Sequence, residues 1–307
     1  MNNQITTLPA LGIGASLSLT SQPDPVKLAA APGGPAFIEY AGQADVDAVK
    51  NEVNRIRASD IPVLFHPAYL NFCGSFANHQ EWLTETARHL QAVESPWLAQ
   101  DLAYCFWQEG PGYSTQLGYF LPPVFNQGSL SQAVERIREV QSAVPVPVAI
   151  EPPPMTFVAG TLPLLEFFGE LAKATDCALL LDMGHLVSYE MASGRKIADE
   201  SRDFPWQRVI EIHVAGGRIE QAGQPVAAAT TPVYIDAHEQ PILPATWEMF
   251  TAILPRCSNL KAICFECEGS DQPRVLETLE TIRGQVARFA TSRGLLDAVN
   301  GRNEPAG

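Results

Sequence analysis

The chain alternates short apolar runs with amphipathic helical patterns, and this alternation constrains its fold more than any other feature. Runs rich in Val, Ile, Leu and Phe predict eight strands: 11–19, 36–40, 61–66, 97–101, 146–151, 178–182, 208–213 and 260–266. Apolar residues at helical spacing predict helices at 45–58, 80–93, 130–142, 161–175, 244–254 and 274–290. Eight such units in 307 residues favour a closed (β/α)8 TIM barrel over an open sheet. We predict one α/β domain over 1–296, followed by a flexible tail over 297–307.

Composition excludes several classes of protein. The net charge is −14, which opposes nucleic-acid binding, because proteins that bind nucleic acids present a basic surface. Residues 1–9 have neither a basic segment nor a long apolar segment, so we expect no signal peptide. No apolar run reaches the roughly 18 residues of a membrane span. We therefore expect no membrane association.

The cysteines predict a reducing compartment. They are scattered through a long chain: Cys73, Cys105, Cys177, Cys257, Cys264 and Cys267. This pattern is typical of reduced thiols in the cytoplasm. Cys264 and Cys267 form a CxxC motif, but on a predicted strand residues i and i+3 face opposite sides. The spacing therefore disfavours a redox or zinc role for this pair.

The stretch 209–238 contains the strongest candidate site. Its first part is a β-branched run that ends at His213 and two glycines, as expected of a buried strand that opens onto a site. Its last part places Asp236 and His238 two residues apart, on one side of an extended chain. Imidazole and carboxylate groups without thiolate suit Fe, Mn or Zn. The alternative is a buried histidine followed by an exposed turn.

Potential metal ligands recur at the carboxyl ends of the other predicted strands. They are His66, Asp101, Glu151, Asp182 with the following His185, His213, and Glu266, joined by Asp236 and His238 from the loop after strand seven. Carboxylates gathered in a barrel mouth repel one another unless cations pair them. We therefore predict that these residues bind metal, with more than one ion. His79 and His89 fall in or beside a helix and are predicted to lie on the surface.

Two predicted loops are longer than a connection requires. They span 106–129 and 216–232, and both follow strands, so both would lie on the catalytic face of a barrel. Each is either a substrate lid or a structural cover of the barrel mouth. Tyr69, Phe72, Tyr113 and Tyr119 are predicted to line a groove there, wide enough for an extended peptide.

The residues at the strand ends resemble those of a known family. The ordered motifs are F-H-P at 65–67, Q-D-L-A at 100–103, A-I-E at 149–151, L-L-L-D-M-G-H at 179–185, E-I-H-V-A-G at 211–216, I-D-A-H-E-Q-P-I-L-P-A-T-W at 235–247 and F-E-C-E at 265–268. Together they resemble the multinuclear non-heme iron-dependent oxidases, which share the xylose-isomerase-like TIM barrel. The resemblance extends over nearly the whole chain, from about residue 8 to residue 290.

The resemblance implies a site and a reaction. It implies two or three iron ions of mixed Fe(II) and Fe(III) state, the use of O2, and modification of a ribosomally made precursor peptide, often at cysteine. It also implies a small partner protein that recognises the peptide. The ligands carried over by position are His66, Glu151, Asp182, His213, Asp236, His238 and Glu266, with Glu151, Asp182, His213 and Glu266 at the catalytic centre.

The chain departs from the family pattern at several positions. Asp101 stands where the family usually has histidine, and Gly184 and His185 stand where it usually has asparagines. Pro152 replaces an asparagine, and Gly217 replaces a histidine. Asp101 and His185 are therefore expected as altered ligands, and one iron position is expected to differ.

Other functions remain open from the sequence alone. The main alternative is a sugar isomerase or epimerase in which Glu151 and Glu266 act as acid and base around one divalent ion. A weaker alternative is a phosphodiesterase with a metal cluster, since D-M-G-H also occurs in such barrels, and the negative charge opposes it. A protein that binds without catalysing is the remaining alternative.

Overall fold

The computed structural model describes residues 5–19, 22–42, 45–110, 113–221 and 232–289. For 106–110, 113–116 and 118 it describes the backbone alone. The predicted tail, 297–307, lies outside the described residues.

The described residues form twelve strands and nine α-helices. The strands are β1 (Gly12–Ser16), β2 (Ile38–Tyr40), β3 (Val63–Phe65), β4 (Leu98–Asp101), β5 (Tyr104–Gly110), β6 (Tyr113–Leu121), β7 (Val148–Glu151), β8 (Ala178–Asp182), β9 (Val209–Ala215), β10 (Gly217–Gln221), β11 (Pro232–Asp236) and β12 (Ala262–Glu266). The helices are α1 (Pro25–Ala30), α2 (Lys50–Arg57), α3 (Gln80–Val93), α4 (Gln127–Ala143), α5 (Leu164–Thr175), α6 (Met183–Ser193), α7 (Ile197–Glu200), α8 (Pro244–Ile253) and α9 (Gln272–Val286).

Eight of the strands close into a parallel barrel, which confirms the predicted fold. Their order around the barrel is β1-β12-β9-β8-β7-β4-β3-β2. Each of these strands lies within or overlaps one of the eight predicted runs, because a parallel strand covered on both faces is apolar along its length. Among the described residues, no helix has both the length and the apolar character needed to span a membrane.

The barrel has an apolar lower interior and a polar upper end. Leu64, Trp97, Ala99, Ala149 and Leu180 pack together inside. A separate and larger apolar cluster packs between the strands and the surrounding helices. The small side chains of the interior leave space for the Trp97 ring, and this packed layer forms the floor under the polar residues at the carboxyl ends.

The two predicted loops are largely antiparallel hairpins, so their prediction as loops was wrong. β5 pairs with β6, and β10 pairs with β11. The connection of the second hairpin, 222–231, lies outside the described residues. Backbone groups in long connections need hydrogen-bond partners, and cross-strand pairing supplies them. Both hairpins follow barrel strands, β4 and β9, and so lie on the predicted face.

A helix that the sequence pattern did not indicate begins directly after β8. Helix α6 is buried from Met183 through Tyr189, so it lacks the polar face that makes a surface helix recognisable. Asp182 caps it, since its Oδ1 accepts a hydrogen bond from the His185 backbone N–H at 2.7 Å. His185 therefore lies in the first turn of a helix, where its side chain is held firmly.

Three side chains predicted near the surface are buried instead. His89 lies on the inner face of α3 and stacks on Phe65 with ring centroids 4.5 Å apart, whereas His79 is half-buried. Phe72 belongs to the apolar core, and the buried Tyr69 hydroxyl lies 3.0 Å from Thr86 Oγ1. Neither aromatic ring lines an open groove, because both complete the core between β3 and α3.

Of the two remaining aromatic residues of the predicted groove, Tyr119 and Tyr113, only Tyr119 has a described side chain. Tyr119 is 62% exposed, as a groove residue would be. The Tyr113 side chain lies outside the described part of the chain, so its place in a groove stays a prediction.

We expect Gly14→Ala to destabilise the fold. A Cβ atom on Gly14 would lie 2.5 Å from three atoms of the Phe37 ring, and overpacking of this kind costs about 1–3 kcal/mol. Urea unfolding measures the loss. Gly284→Ala on α9 is the matched control, because nothing lies within 4 Å of its added Cβ and alanine favours a helix by about 0.5–1 kcal/mol. Equal stability of Gly14→Ala and wild type would contradict the packing argument.

Candidate metal centre

The carboxyl ends of the barrel strands deliver a buried layer of ionisable side chains. It consists of Glu39 from β2, His66 directly after β3, Asp101 from β4, Glu151 from β7, Asp182 from β8, His213 from β9 and Glu266 from β12. All of them are less than 9% exposed. The prediction that the strand ends converge on one volume is therefore confirmed, and Glu39 joins the predicted residues.

Six of these residues form an inner cluster of three overlapping groups. The groups are Glu39 with His66 and His213, His66 with Asp101 and Glu151, and Glu151 with Asp182 and His213. Within each group the potential ligand atoms all lie within 4.8 Å of one another. Glu151, His66 and His213 each belong to two of the groups, so these three residues connect the groups to one another.

Glu151 lies at the centre of the inner cluster. Its Oε2 is 3.4 Å from His66 Nε2, and its Oε1 is 3.9 Å from His213 Nδ1. Asp101 Oδ2 approaches the same His66 nitrogen at 3.7 Å. The imidazoles therefore alternate with carboxylates, as in a site that binds cations through both.

Three further residues form a rim cluster beside the inner cluster: Asp236, His238 and Glu266. His238 Nε2 lies 3.3 Å from Asp236 Oδ2 and 3.6 Å from Glu266 Oε2. Glu266 also reaches the inner cluster, with its Oε1 3.4 Å from His213 Nδ1. The predicted convergence of Asp236 and His238 is correct, but the extended-chain reason for it is wrong. His238 has φ 51°, so a left-handed residue after β11 turns the imidazole back over the strand end.

His185 lies between the two clusters with both ring nitrogens occupied. Nδ1 lies 2.8 Å from the Pro152 carbonyl oxygen and 3.1 Å from Glu151 Oε1. Nε2 lies 3.3 Å from Asp236 Oδ2. Because a carbonyl only accepts hydrogen bonds, Nδ1 carries a proton. The predicted ligand His185 can therefore offer only Nε2 to an ion.

Sequence reasoning missed three glutamates that contact the predicted ligands. Glu39 lies 3.1 Å from His213 Nε2, Glu211 lies 3.7 Å from the same nitrogen, and Glu268 Oε2 lies 2.7 Å from His238 Nδ1. Glu39 and Glu211 each interrupt a strand that is otherwise apolar. A charged residue inside a buried strand was the signal available to find them.

Tyr234 occupies space that two glycines leave free. Its phenol is buried, and a Cβ on either Gly184 or Gly217 would overlap with it. Both glycines are positions at which the resemblance predicts a departure from the family pattern. Tyr234 lies two residues before Asp236 on β11, so its ring packs on the same side of the strand as the rim cluster.

Burial and mutual repulsion dominate the electrostatics. Burial and the nearby Asp101 raise the pKa of Glu151 to about 8. Burial, together with Glu266, raises the pKa of Asp182 to about 7, even though His185 opposes the shift. Burial would also raise the pKa of Glu39, but His213 and His66 hold it below its usual range. Removing the proton from Glu151 or Asp182 in the metal-free site is therefore costly, and a bound cation would offset that cost.

The residues fit a set of bound cations. Among the described side chains of this site, the following buried atoms have no hydrogen-bond partner: Glu39 Oε1, Asp101 Oδ1, both Glu151 oxygens, Asp182 Oδ2, Glu211 Oε1, His213 Nδ1, the Tyr234 hydroxyl, Asp236 Oδ1 and Glu266 Oε2. Buried polar atoms without partners are costly unless an ion pairs them. Carboxylate oxygens and imidazole nitrogens without thiolates suit iron, manganese or zinc. The site can therefore hold metal ions, at more than one position.

We expect Glu151→Gln to lower the number of metal ions bound and to leave the metal-free fold intact. The change removes a ligand shared by two groups and also removes one repelling charge. Elemental analysis gives the metal bound per chain, and thermal unfolding of chelator-treated protein reports the fold. Glu135→Gln makes the same change on the exposed side of α4, where the side chain is 71% exposed. A metal count equal to wild type would show that Glu151 is not a ligand.

The raised pKa values predict that the metal-free protein loses stability as the pH rises. Folding raises the pKa of the Glu151 carboxyl from 4.5 to about 8, so the folded state holds the proton more tightly than the unfolded state. The contribution of this proton to the free energy of unfolding is fully present below pH 4.5. It is lost as the pH rises through about 8. Chelator-treated wild type should melt at a lower temperature at pH 8 than at pH 5, and Glu151→Gln should narrow the difference. If Glu151→Gln shows the same difference in melting temperature between pH 5 and pH 8 as wild type, the pH dependence arises from other groups.

Solved structures share the barrel. A D-psicose 3-epimerase crystallised in the presence of D-fructose has a TM-score of 0.55 at 14% identity, covering 93% of this chain and 99% of that one. A xylose isomerase-like TIM barrel protein from Mycobacterium smegmatis, in complex with magnesium, has a TM-score of 0.54 at 12% identity, covering 95% and 99%. At these identities the likeness shows the fold alone, and it confirms the xylose-isomerase-like TIM barrel.

Relatives by sequence carry no assigned activity in their names. A UPF0276 protein of Rhizobium meliloti is 26% identical over 206 residues, or 66% of this chain. A UPF0276 protein of Streptomyces avermitilis is 24% identical over 244 residues, or 77% of this chain. The chain spans 63% and 48% of the lengths of these two relatives.

A family match covers most of the chain and includes every predicted ligand. The family is described as RiPP precursor modification enzyme MbnB/TglH/ChrH, and it matches residues 29–286. This match confirms the resemblance drawn from the strand-end motifs. The protein belongs to the MbnB/TglH/ChrH family of RiPP precursor modification enzymes.

Proposed function

We propose that this protein is an iron-dependent oxidase that uses O2 to modify a ribosomally made precursor peptide at a cysteine residue. The observation that carries the proposal is the continuity of the ligand groups. Glu151 joins two groups of the inner cluster, and Glu266 faces both His213 and His238. Such an arrangement suits several adjacent ions, whereas the isomerase alternative places acid and base around one divalent ion.

The described side chains divide naturally among two or three ion positions. His66, Asp101 and Glu151 would hold one ion, and Glu151, Asp182 and His213 would hold the second. The rim cluster would hold a third. Iron held by these residues would supply open coordination sites for a thiolate and O2 and would provide redox chemistry there.

The exposure of the ligands indicates where the peptide enters. His238 and Asp236 side chains are 23% and 18% exposed, whereas that of His213 is completely buried. Glu268 is 38% exposed and lies 2.7 Å from His238 Nδ1. It is therefore the carboxylate best placed to take the proton that a cysteine thiol loses and to pass it to water. The inner cluster itself is buried, so bulk water does not reach its ligand atoms.

Exposed apolar side chains on the connections after the barrel strands support a peptide substrate. In the described residues, the exposed large hydrophobic side chains are Tyr119, Val124, Phe157 and Ile219. All four lie on connections that follow the carboxyl ends of β4, β7 or β9. Exposed apolar groups on one face of a barrel can mark a binding surface, and these support a peptide as the substrate.

The remaining expectations complete the proposal. The family supports a precursor peptide as substrate, and we add a small peptide-recognition protein as partner. The described cysteines are all free and buried, which supports the cytoplasm as the location. The net charge of −14 opposes nucleic acid as a partner.

The proposal predicts iron content and an oxygen-dependent product. Protein purified without chelator under anaerobic conditions should contain about two or more irons per chain, as the ligand supply implies. With the precursor peptide, its partner protein and air, it should change the peptide mass. The change should require O2 and should disappear when the peptide cysteine is replaced by serine. Elemental analysis and mass spectrometry measure both.

A contrary result would redirect the assignment. One zinc or manganese per chain after iron-supplemented expression would contradict the iron centre. An unchanged peptide together with turnover of a ketose would assign the protein to the isomerase class. Glu135→Gln, which alters only the surface, should behave as wild type in both measurements.

A further inference from the structure

The buried carboxylate of Glu39 faces two of the proposed metal-binding histidines. Glu39 is the middle residue of β2 and is fully buried. Its Oε2 is 3.1 Å from His213 Nε2, and its Oε1 is 3.6 Å from His66 Nδ1. The two imidazole rings lie close together, with centroids 5.3 Å apart. Glu39 thus reaches both rings from the same side.

The other nitrogen of each ring faces the carboxylates of the clusters. His66 Nε2 lies 3.4 Å from Glu151. His213 Nδ1 lies 3.4 Å from Glu266 and 3.9 Å from Glu151. His66 therefore presents Nε2 and His213 presents Nδ1 to the clusters. The nitrogens that face Glu39 are His66 Nδ1 and His213 Nε2.

Glu39 favours one tautomer of each ring, because its Oε2 hydrogen-bonds with His213 Nε2 at 3.1 Å and its Oε1 faces His66 Nδ1 at an ion-pair distance of 3.6 Å. A neutral imidazole has one N–H donor and one nitrogen with a free electron pair. The other nitrogen of each ring would face the bound ions, so the negative charge of Glu39 would favour the proton on His66 Nδ1 and on His213 Nε2. The free electron pairs then lie on His66 Nε2 and His213 Nδ1, which are the nitrogens directed at the ion positions.

We propose that Glu39 is a positioning residue that orients His66 and His213 together and so couples two adjacent ion positions. The inference rests on the metal-binding part of the proposed function and not on O2 or peptide chemistry. His66 belongs to the group with Asp101, and His213 belongs to the group with Asp182. A change at Glu39 therefore weakens both positions at once, although Glu39 is a member of neither of these two groups.

Glu268 offers a matched comparison within the same site. It contacts His238 at Nδ1, 2.7 Å from its Oε2, and it accepts a hydrogen bond from Ser16 Oγ at 2.6 Å. It thus holds one histidine of the rim cluster, as Glu39 holds two of the inner cluster. The same substitution at each glutamate separates a local effect from a shared one.

The test is anaerobic titration of the full-length, chelator-treated protein with Fe(II) alone, in competition with a coloured chelator. The amide of Glu39→Gln offers its oxygen to only one imidazole and presents N–H groups to the other. Loss of a partner that orients a metal-binding histidine costs about 10–100-fold in metal affinity. We expect Glu39→Gln to bind as many ions as wild type at saturation, with affinity weakened about 10–100-fold at two positions. Glu268→Gln should weaken binding at the rim position only.

Two outcomes of the titration would overturn the proposal. Unchanged Fe(II) affinity in Glu39→Gln would show that Glu39 positions nothing. A missing ion at saturating Fe(II) would make Glu39 a ligand instead of a positioning residue. Glu39→Asp keeps the charge with a shorter reach and should give an intermediate affinity. It replaces the glutamine variant if thermal unfolding shows that Glu39→Gln does not fold.

A spectroscopic measurement on wild type tests the tautomers directly. The chain has six histidines, so histidine-selective 15N labelling gives a small set of signals, with Zn(II) as a diamagnetic probe. We expect His66 bound through Nε2 and His213 bound through Nδ1, and binding of both through the same type of nitrogen would refute the inference. Zn(II) binding in this pattern without oxidase activity would sink only the proposed reaction. A wild type that binds neither Fe(II) nor Zn(II) would sink the metal centre itself.

Discussion

The structure depends on one electrostatic constraint, the gathering of carboxylates in the apolar mouth of a barrel. Glu39, Asp101, Glu151, Asp182 and Glu266 are all buried, where an unpaired charge is expensive. Packing does not require this arrangement, since apolar side chains would fill the same space at lower cost. The interleaved histidines offset part of the repulsion, and bound cations would offset the rest. The site is therefore a place where the chain gives up stability of its metal-free form in favour of binding.

The apolar floor of the barrel makes this constraint effective. The Trp97 ring fills the interior below the inner cluster, and its indole N–H donates to Glu211 Oε2 at 2.7 Å. Glu211 in turn lies 3.7 Å from His213. The floor thus excludes water and connects to the ligands through one buried carboxylate. A low local dielectric strengthens every charge interaction above it, including those that bound ions would make.

The sequence predicts the barrel and most of the site, because buried parallel strands are apolar until their ends. It could not predict contacts made across the barrel. Glu39 and His213 are 174 residues apart in the chain and meet only when β2 and β9 close the sheet. The register between β8 and β9 shifts between Leu179 and Leu180, and simple alternation along β9 does not foresee such a bulge. Helix α6 was missed because it is buried on every side, and the turn at His238 was missed because a left-handed conformation leaves no reliable sequence signal.

Gly184, His185 and Gly217, where the resemblance predicts a departure from the family pattern, are connected physically in the structure. Gly184 follows β8 and Gly217 begins β10, yet a side chain at either position would overlap with the Tyr234 phenol. Tyr234 is carried by β11, the strand that also carries Asp236. The two glycines therefore allow the buried aromatic ring to pack against α6, and the ring fixes the strand that delivers a rim ligand. His185 contacts Asp236 from the same helix. The rim cluster thus has its own supporting shell, in which two small residues, one aromatic ring and one histidine depend on one another.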